Sequence, residues 1–208
     1  MSDNIRKIPN HEVTYQQIRD MILFGDLAPG QAVTIQGLAS LMGAGVTPIR
    51  EAIRRLTAEG ALEFLGNRRV CVPELTPAQH AELEFARLNI EPELTRIAIN
   101  NMNNNDINEL TEIDSTLNEA IHKGDVQGYL FQNHRFHFAL YNHANARILL
   151  DIASMLWLRV GPSLRVVCGR VGTYNLPDRH EQARAATPKG GTERTVRANA
   201  ANNKPGVE

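Results

Sequence analysis

The sequence predicts a mainly α-helical chain in two folded parts with a trailing segment, and three observations carry that expectation. Short helical stretches broken by glycine and proline turns, then two extended runs, fill residues 8–74. Long stretches with apolar residues at helical spacing fill residues 78–185. From 186 to 208 the periodicity stops. Of the 208 residues 42% are apolar, enough for a packed core. A formal charge of −1 gives no chain-wide attraction to nucleic acid, so any basic surface has to be local.

The elements follow in order. A first helix is expected over about 11–24, where Val13, Ile18, Ile22 and Leu23 roughly follow one stripe. Gly25 stops it, and Pro29-Gly30 makes a turn. A second helix, about 36–42, carries Leu38, Ala39 and Leu41. After the tight turn Gly43-Ala44-Gly45 comes a third helix. Thr47 suits its N-cap, Pro48 its first helical position, and Gly60 the position just past its end. "ALEFL" and "RRVCVPEL", around Gly66-Asn67, read as a two-stranded wing. Pro73 and Pro77 bracket a short linker.

Cys71 and Cys168 form no CxxC motif, which points to a reducing compartment and a cytoplasmic protein. The polar start "MSDNIRKIPNHEV" is no secretory signal, and no apolar stretch is long enough to span a bilayer, so no membrane partner is expected. Paired carboxylates, a nucleophile motif and H-E-x-x-H are all missing, which argues against an enzyme.

The third helix carries the chemistry. Ile49, Ala52, Ile53 and Leu56 share a stripe that packs inward, while Thr47, Arg50 and Arg54, spaced i, i+3, i+7, share another face. Glu51 and Arg55 are placed to pair with each other. A solvated face and a nucleic-acid face both fit the arginines taken alone. The setting favours DNA: helix, turn, helix, then a wing tipped by Asn67, Arg68 and Arg69. In a winged helix-turn-helix the second helix enters the major groove and the wing meets the backbone or minor groove. Thr47, Arg50, Arg54, Arg68 and Arg69 are the expected contacts to double-stranded operator DNA.

"LAPGQAV...LASLMGAGVTPIREAIRRLTAEGALEF" resembles the DNA-binding domain of the GntR family of bacterial transcription regulators. The family's Pro-Gly turn, its Leu-Ala, its Thr-Pro-hydrophobic-Arg-Glu-Ala helix and its Leu-x-x-x-Gly end all have counterparts here. They are Pro29-Gly30, Leu38-Ala39, Thr47 to Ala52, and Leu56 with Gly60. The family usually places Ser-Arg before Thr-Pro, and that arginine commonly touches DNA; this chain has Gly45-Val46.

In the second part, Leu83, Ile90, Leu94 and Ile97 share a stripe with Arg87 over about 78–101. Over about 126–143, Leu130, Leu140 and Ala144 share one with Asn133 and His137. Polar residues on core stripes need partners and suggest a ligand cavity in a helical bundle. The bland alternatives are an Arg87 that snorkels outward and a His137 that is simply a satisfied core histidine. His134 points to another face and reads as surface, His122 and His143 as helix ends, and "NNMNNND" as a helix end and turn.

"EFARLNIEPELTRIAI", "NHRFHFALYNHANARIL" and "RHEQA" resemble the FCD ligand-binding domain, the effector domain of the FadR-type branch of GntR regulators. The resemblance implies an all-helical domain that takes up a small carboxylate effector, a homodimer, and often a divalent metal (Zn, Ni or Mn). Carried over, the metal positions are Asn133, His137 and His180, and Arg87 joins them beside the effector. The family's last histidine has no counterpart after His180. "ARAATPKGGTERTVRANAANNKPGVE" stands where a long apolar-periodic helix is expected, so 186–208 reads as a disordered tail, with a frameshifted or degraded C-terminus as the hypothesis.

Overall fold

The computed structural model of the chain describes residues 10–66 and 69–171. Arg68, His180 and the segment 186–208 therefore lie outside the described residues. The chain divides between Glu74 and Leu75 into two compact units.

The first unit runs α1 (Asn10–Leu23), β1 (Val33–Thr34), α2 (Ile35–Met42), α3 (Val46–Ala58), β2 (Glu63–Phe64) and β3 (Arg69–Cys71). Its sheet has three strands in the order β1-β3-β2, all antiparallel: β2 and β3 are the two strands of the expected wing, and β1 adds a third that the sequence did not announce. β1 pairs Val33 with Val70 and Thr34 with Arg69. Thr34 then caps α2, its side chain accepting from the Gly37 amide at 2.9 Å. The Pro29-Gly30 turn ties in beside it: the Gly30 amide donates to the Val72 carbonyl at 2.9 Å.

α1 packs on α3 around Tyr15, Ile18, Ile22, Ile49, Ile53 and Leu56. Val13 is not part of this stripe; it is exposed, and Thr14 and Tyr15 are buried instead. Leu41 of α2 is also exposed. α3 ends in a Schellman turn, with Gly60 at φ +73°, the Gly60 amide on the Thr57 carbonyl at 3.0 Å and the Ala61 amide on the Leu56 carbonyl at 2.9 Å. Gly60→Ala is expected to cost about 1–2 kcal/mol in urea unfolding, because a Cβ is strained in that left-handed conformation.

The second unit is helical throughout its described residues: α4 (Pro77–Asn101), α5 (Asn104–Lys123), α6 (Val126–Asn142) and α7 (Arg147–Val171). Capping boxes start α4 at Thr76 with Gln79 and α5 at Asn103 with Asp106, which explains why the asparagine run is a helix boundary. Asp125 caps α6 by accepting from the Gly128 amide. Leu94, Ala98, Leu110, Ile113, Phe136, Leu140, Tyr141, Ala144 and Ala153 form the core, flanked by half-buried Ile90 and Ile97. The buried line of α4 thus runs Leu83, Arg87, Glu91, Leu94, Ala98, and Ile90 and Ile97 sit at its edge. No described helix is long and apolar enough to cross a membrane.

Candidate nucleic-acid interface and buried polar network

The two faces of α3 separate as its periodicity predicts. Ile49, Ala52, Ile53 and Leu56 are buried; Thr47, Arg50 and Arg54 are exposed. The helix starts two residues earlier than expected, with Gly45 as the N-cap and no side-chain capping bond. Thr47 is therefore not the cap. It lies in the first helical turn, on the exposed face with Arg50 and Arg54. Arg69, on the central strand β3, is exposed opposite Thr34.

The arginines of α3 divide into two kinds. Arg50 has no ion-pair partner among the described residues, and Arg54 touches only Glu51, at 3.5 Å with both side chains largely in solvent. Such an exposed pair is worth little and yields readily to another anion. Arg55 does not pair with Glu51. It reaches Glu12 of α1 at 3.0 Å and Glu59 at 3.2 Å, and its guanidinium carbon lies 3.6 Å from the centre of the Tyr15 ring. The Tyr15 hydroxyl donates to Glu59 at 2.8 Å. Arg55 is thus a fastener between α1 and α3, and the face left for a polyanion carries Thr47, Arg50 and Arg54.

Burial, then the hydrogen bond to Glu59 and the charge of that carboxylate, push the Tyr15 hydroxyl up to about 12, against the pull of Arg55 and Arg19. The folded state therefore holds this proton more tightly than the unfolded chain. Its stabilising contribution is complete below the ordinary value of 10 and is lost as the pH rises from there through about 12. Urea unfolding across that range is expected to show a loss of stability that Tyr15→Phe reduces.

In the helical unit four polar side chains meet inside the bundle. Arg87 and Glu91, one turn apart on α4, are buried and joined from Nε to Oε1 at 2.5 Å and from Nη2 to Oε2 at 3.5 Å. The Tyr141 hydroxyl of α6 donates to Glu91 Oε2 at 2.7 Å and lies 3.2 Å from His137 Nδ1. A hydroxyl has one proton, so with that proton on Glu91 the imidazole Nδ1–H donates to the tyrosine oxygen. In the neutral ring this leaves the lone pair on Nε2. Trp157 of α7 completes the cluster: the Arg87 guanidinium carbon lies 4.7 Å from the centre of its ring and the His137 ring 5.1 Å away. The buried indole Nε1–H has no hydrogen-bond partner among the described residues.

Arg87 and His137 are thus both buried and in one network. Asn133 is half-buried one turn before His137, and no hydrogen bond among the described residues joins it to the network. His134 is not a surface residue: it stacks on Phe138 with centroids 4.3 Å apart and meets Trp157 edge-on at 5.5 Å. His143 is the C-cap of α6 and lies 3.7 Å from Asp106. Among the described residues no three His, Cys, Asp or Glu side chains gather as a metal shell. Of the expected donor set, Asn133 and His137 lie among the described residues and His180 does not. Glu91, Tyr141 and Trp157 escaped the sequence reading, although the i, i+4 pairs Arg87/Glu91 and His137/Tyr141 were there to find.

A winged helix-turn-helix followed by a helical bundle is the architecture of a DNA-binding transcriptional regulator. Comparison with known proteins agrees. Residues 10–72 match the gntR family of bacterial regulatory proteins and residues 82–201 match the FCD domain. The chain is 30% identical over 164 residues to the HTH-type transcriptional regulator McbR of Escherichia coli (strain K12), covering 79% of this chain and 74% of that protein. The solved E. coli McbR/YncC structure superposes with a TM-score of 0.89 at 26% identity, over 95% of this chain and 94% of that one. A GntR regulator structure from Rhodococcus sp. RHA1 shares the fold, with a TM-score of 0.74 at 18% identity over 93% of both chains. The protein belongs to the GntR family of bacterial transcriptional regulators and carries an FCD domain. Its relatives are transcriptional regulators, and it is a regulator rather than an enzyme.

Proposed function

We propose that this regulator binds a palindromic duplex operator as a homodimer and that a small carboxylate, taken up beside Arg87, adjusts its grip. Thr47, Arg50 and Arg54 read or clamp the major groove, and Arg69, with Arg68, meets the backbone from the wing. The observation that carries the effector half of this reading is the buried Arg87–Glu91–Tyr141–His137 network. A bundle that served only to join protomers gains little from such a centre, since apolar packing of similar volume is as stable or more so. A carboxylate can compete with Glu91 for the Arg87 guanidinium. To act on transcription it must bind the DNA-competent and DNA-incompetent states with unequal affinity.

Fluorescence anisotropy on genomic fragments recovered with the full-length protein tests both halves. Expected are a steep fall of affinity with salt, as phosphate contacts require, and a shift of several-fold by one member of a panel of small mono- and dicarboxylates. A flat salt response sinks the DNA half. A panel that moves the wild-type protein no more than Arg87→Met sinks the effector half.

A further inference from the structure

We propose that Val46 reads the C5-methyl group of a thymine in the operator, which makes it a specificity residue of the recognition helix. The inference rests on α3 being the helix that enters the major groove. Val46 is the first residue of α3, and recognition helices offer their N-terminal residues to base edges. It is 37% exposed, whereas Ile49, three residues on, is fully buried. Arg50, one turn further along at i+4, is exposed as well and neighbours Val46 on the helix surface. An isopropyl group has nothing to offer a phosphate or a base donor. The one apolar feature of the major-groove base edges is the thymine methyl.

The turn before Val46 supports a close approach from outside. Gly45 has φ −67° and ψ 152°, which any residue adopts. A Cβ built there meets only the Pro48 ring, at 3.5 and 3.7 Å, an ordinary contact. A Cβ at Gly43 meets nothing within 4 Å. The fold makes no steric demand for glycine at 45, and the N-cap position ordinarily favours a side chain that bonds the helix amides. The missing side chain keeps bulk away from the path by which Val46 reaches a groove.

The test is a selection of preferred duplexes from a random pool by the full-length protein, followed by replacement of each thymine in the recovered site by uracil, one at a time. Uracil keeps the pairing and lacks only the methyl. At one thymine per half-site the wild-type affinity is expected to fall about fourfold, the equivalent of one lost methyl burial. In Val46→Ala the thymine–uracil difference at that base disappears while the unfolding temperature stays within a degree or two, alanine being the better helix former. A site without thymine, or one indifferent to uracil at every thymine, overturns the proposal. So does equal sensitivity in Val46→Ala, which moves the methyl contact to another residue such as Thr47. A Val46→Ala protein that is strongly destabilised makes Val46 a packing residue and also overturns it. If no duplex is preferred, the DNA reading of α3 fails, and this inference with it.

Discussion

Arg50→Ala lowers operator affinity by about ten- to a hundredfold and leaves the fold intact, whereas Arg55→Ala, five residues along the same helix, does the reverse. Arg50 is exposed, off the apolar stripe, and without an ion-pair partner among the described residues, so its removal takes nothing from the packing. Arg55 spans Glu12, Glu59 and the Tyr15 ring, so its removal loosens α1 from α3 and costs about 1 kcal/mol, the scale of an exposed ion pair plus one cation–π contact. Anisotropy with operator duplex and urea unfolding of the same two variants separate the effects. Equal affinity of Arg50→Ala and wild type would remove Arg50 from the interface. If affinity does fall, a shallower salt slope marks a phosphate contact, and relaxed preference at one base pair marks a base contact.

Glu91→Ala is expected to be the most damaging single change in the helical unit, at about 3–5 kcal/mol. It takes the neutralising carboxylate from an Arg87 guanidinium whose side chain is 4% exposed, and from the Tyr141 hydroxyl the carboxylate to which it donates. The paired change Arg87→Met with Glu91→Leu removes both charges and fills similar volume, so most of that loss is recovered. Urea unfolding of the single and double variants measures the difference. The double variant then serves as a folded protein without the network, and it is expected to bind operator while ignoring carboxylates. A Glu91→Ala protein as stable as wild type would show that Arg87 finds water or another acceptor easily, and the network would lose its claim to be a closed unit.

What was legible in the sequence and what was not follows from the range over which each feature is decided. The faces of α3 were legible because Ile49, Ala52, Ile53 and Leu56 repeat at helical spacing and pack on elements a short way along the chain. The partner of Arg55 was not. Local spacing favoured Glu51, but Glu12, 43 residues away, is brought alongside only when α1 docks. β1 is two residues long and exists because β3 comes back to pair with it, which no local pattern announces. Arg87 and His137 stood out as polar residues on apolar stripes. Glu91 did not, because a carboxylate among half-buried neighbours looks like a solvated face until Tyr141, 50 residues on, is seen to donate to it. His134 was misread for a related reason: the Trp157 ring that receives it belongs to α7, a helix that α6 meets only in the packed bundle.

The division of α3 has a consequence for how such a protein can change over time. Its stability is decided by four buried side chains and by Arg55, while the groups free to face a groove take no part in holding the helix in place. Mutations at 47, 50 and 54 can therefore accumulate without a folding defect to select against them. After a gene duplication, a new set of target promoters lies a few substitutions away, with the helical unit and its chemistry carried along unaltered.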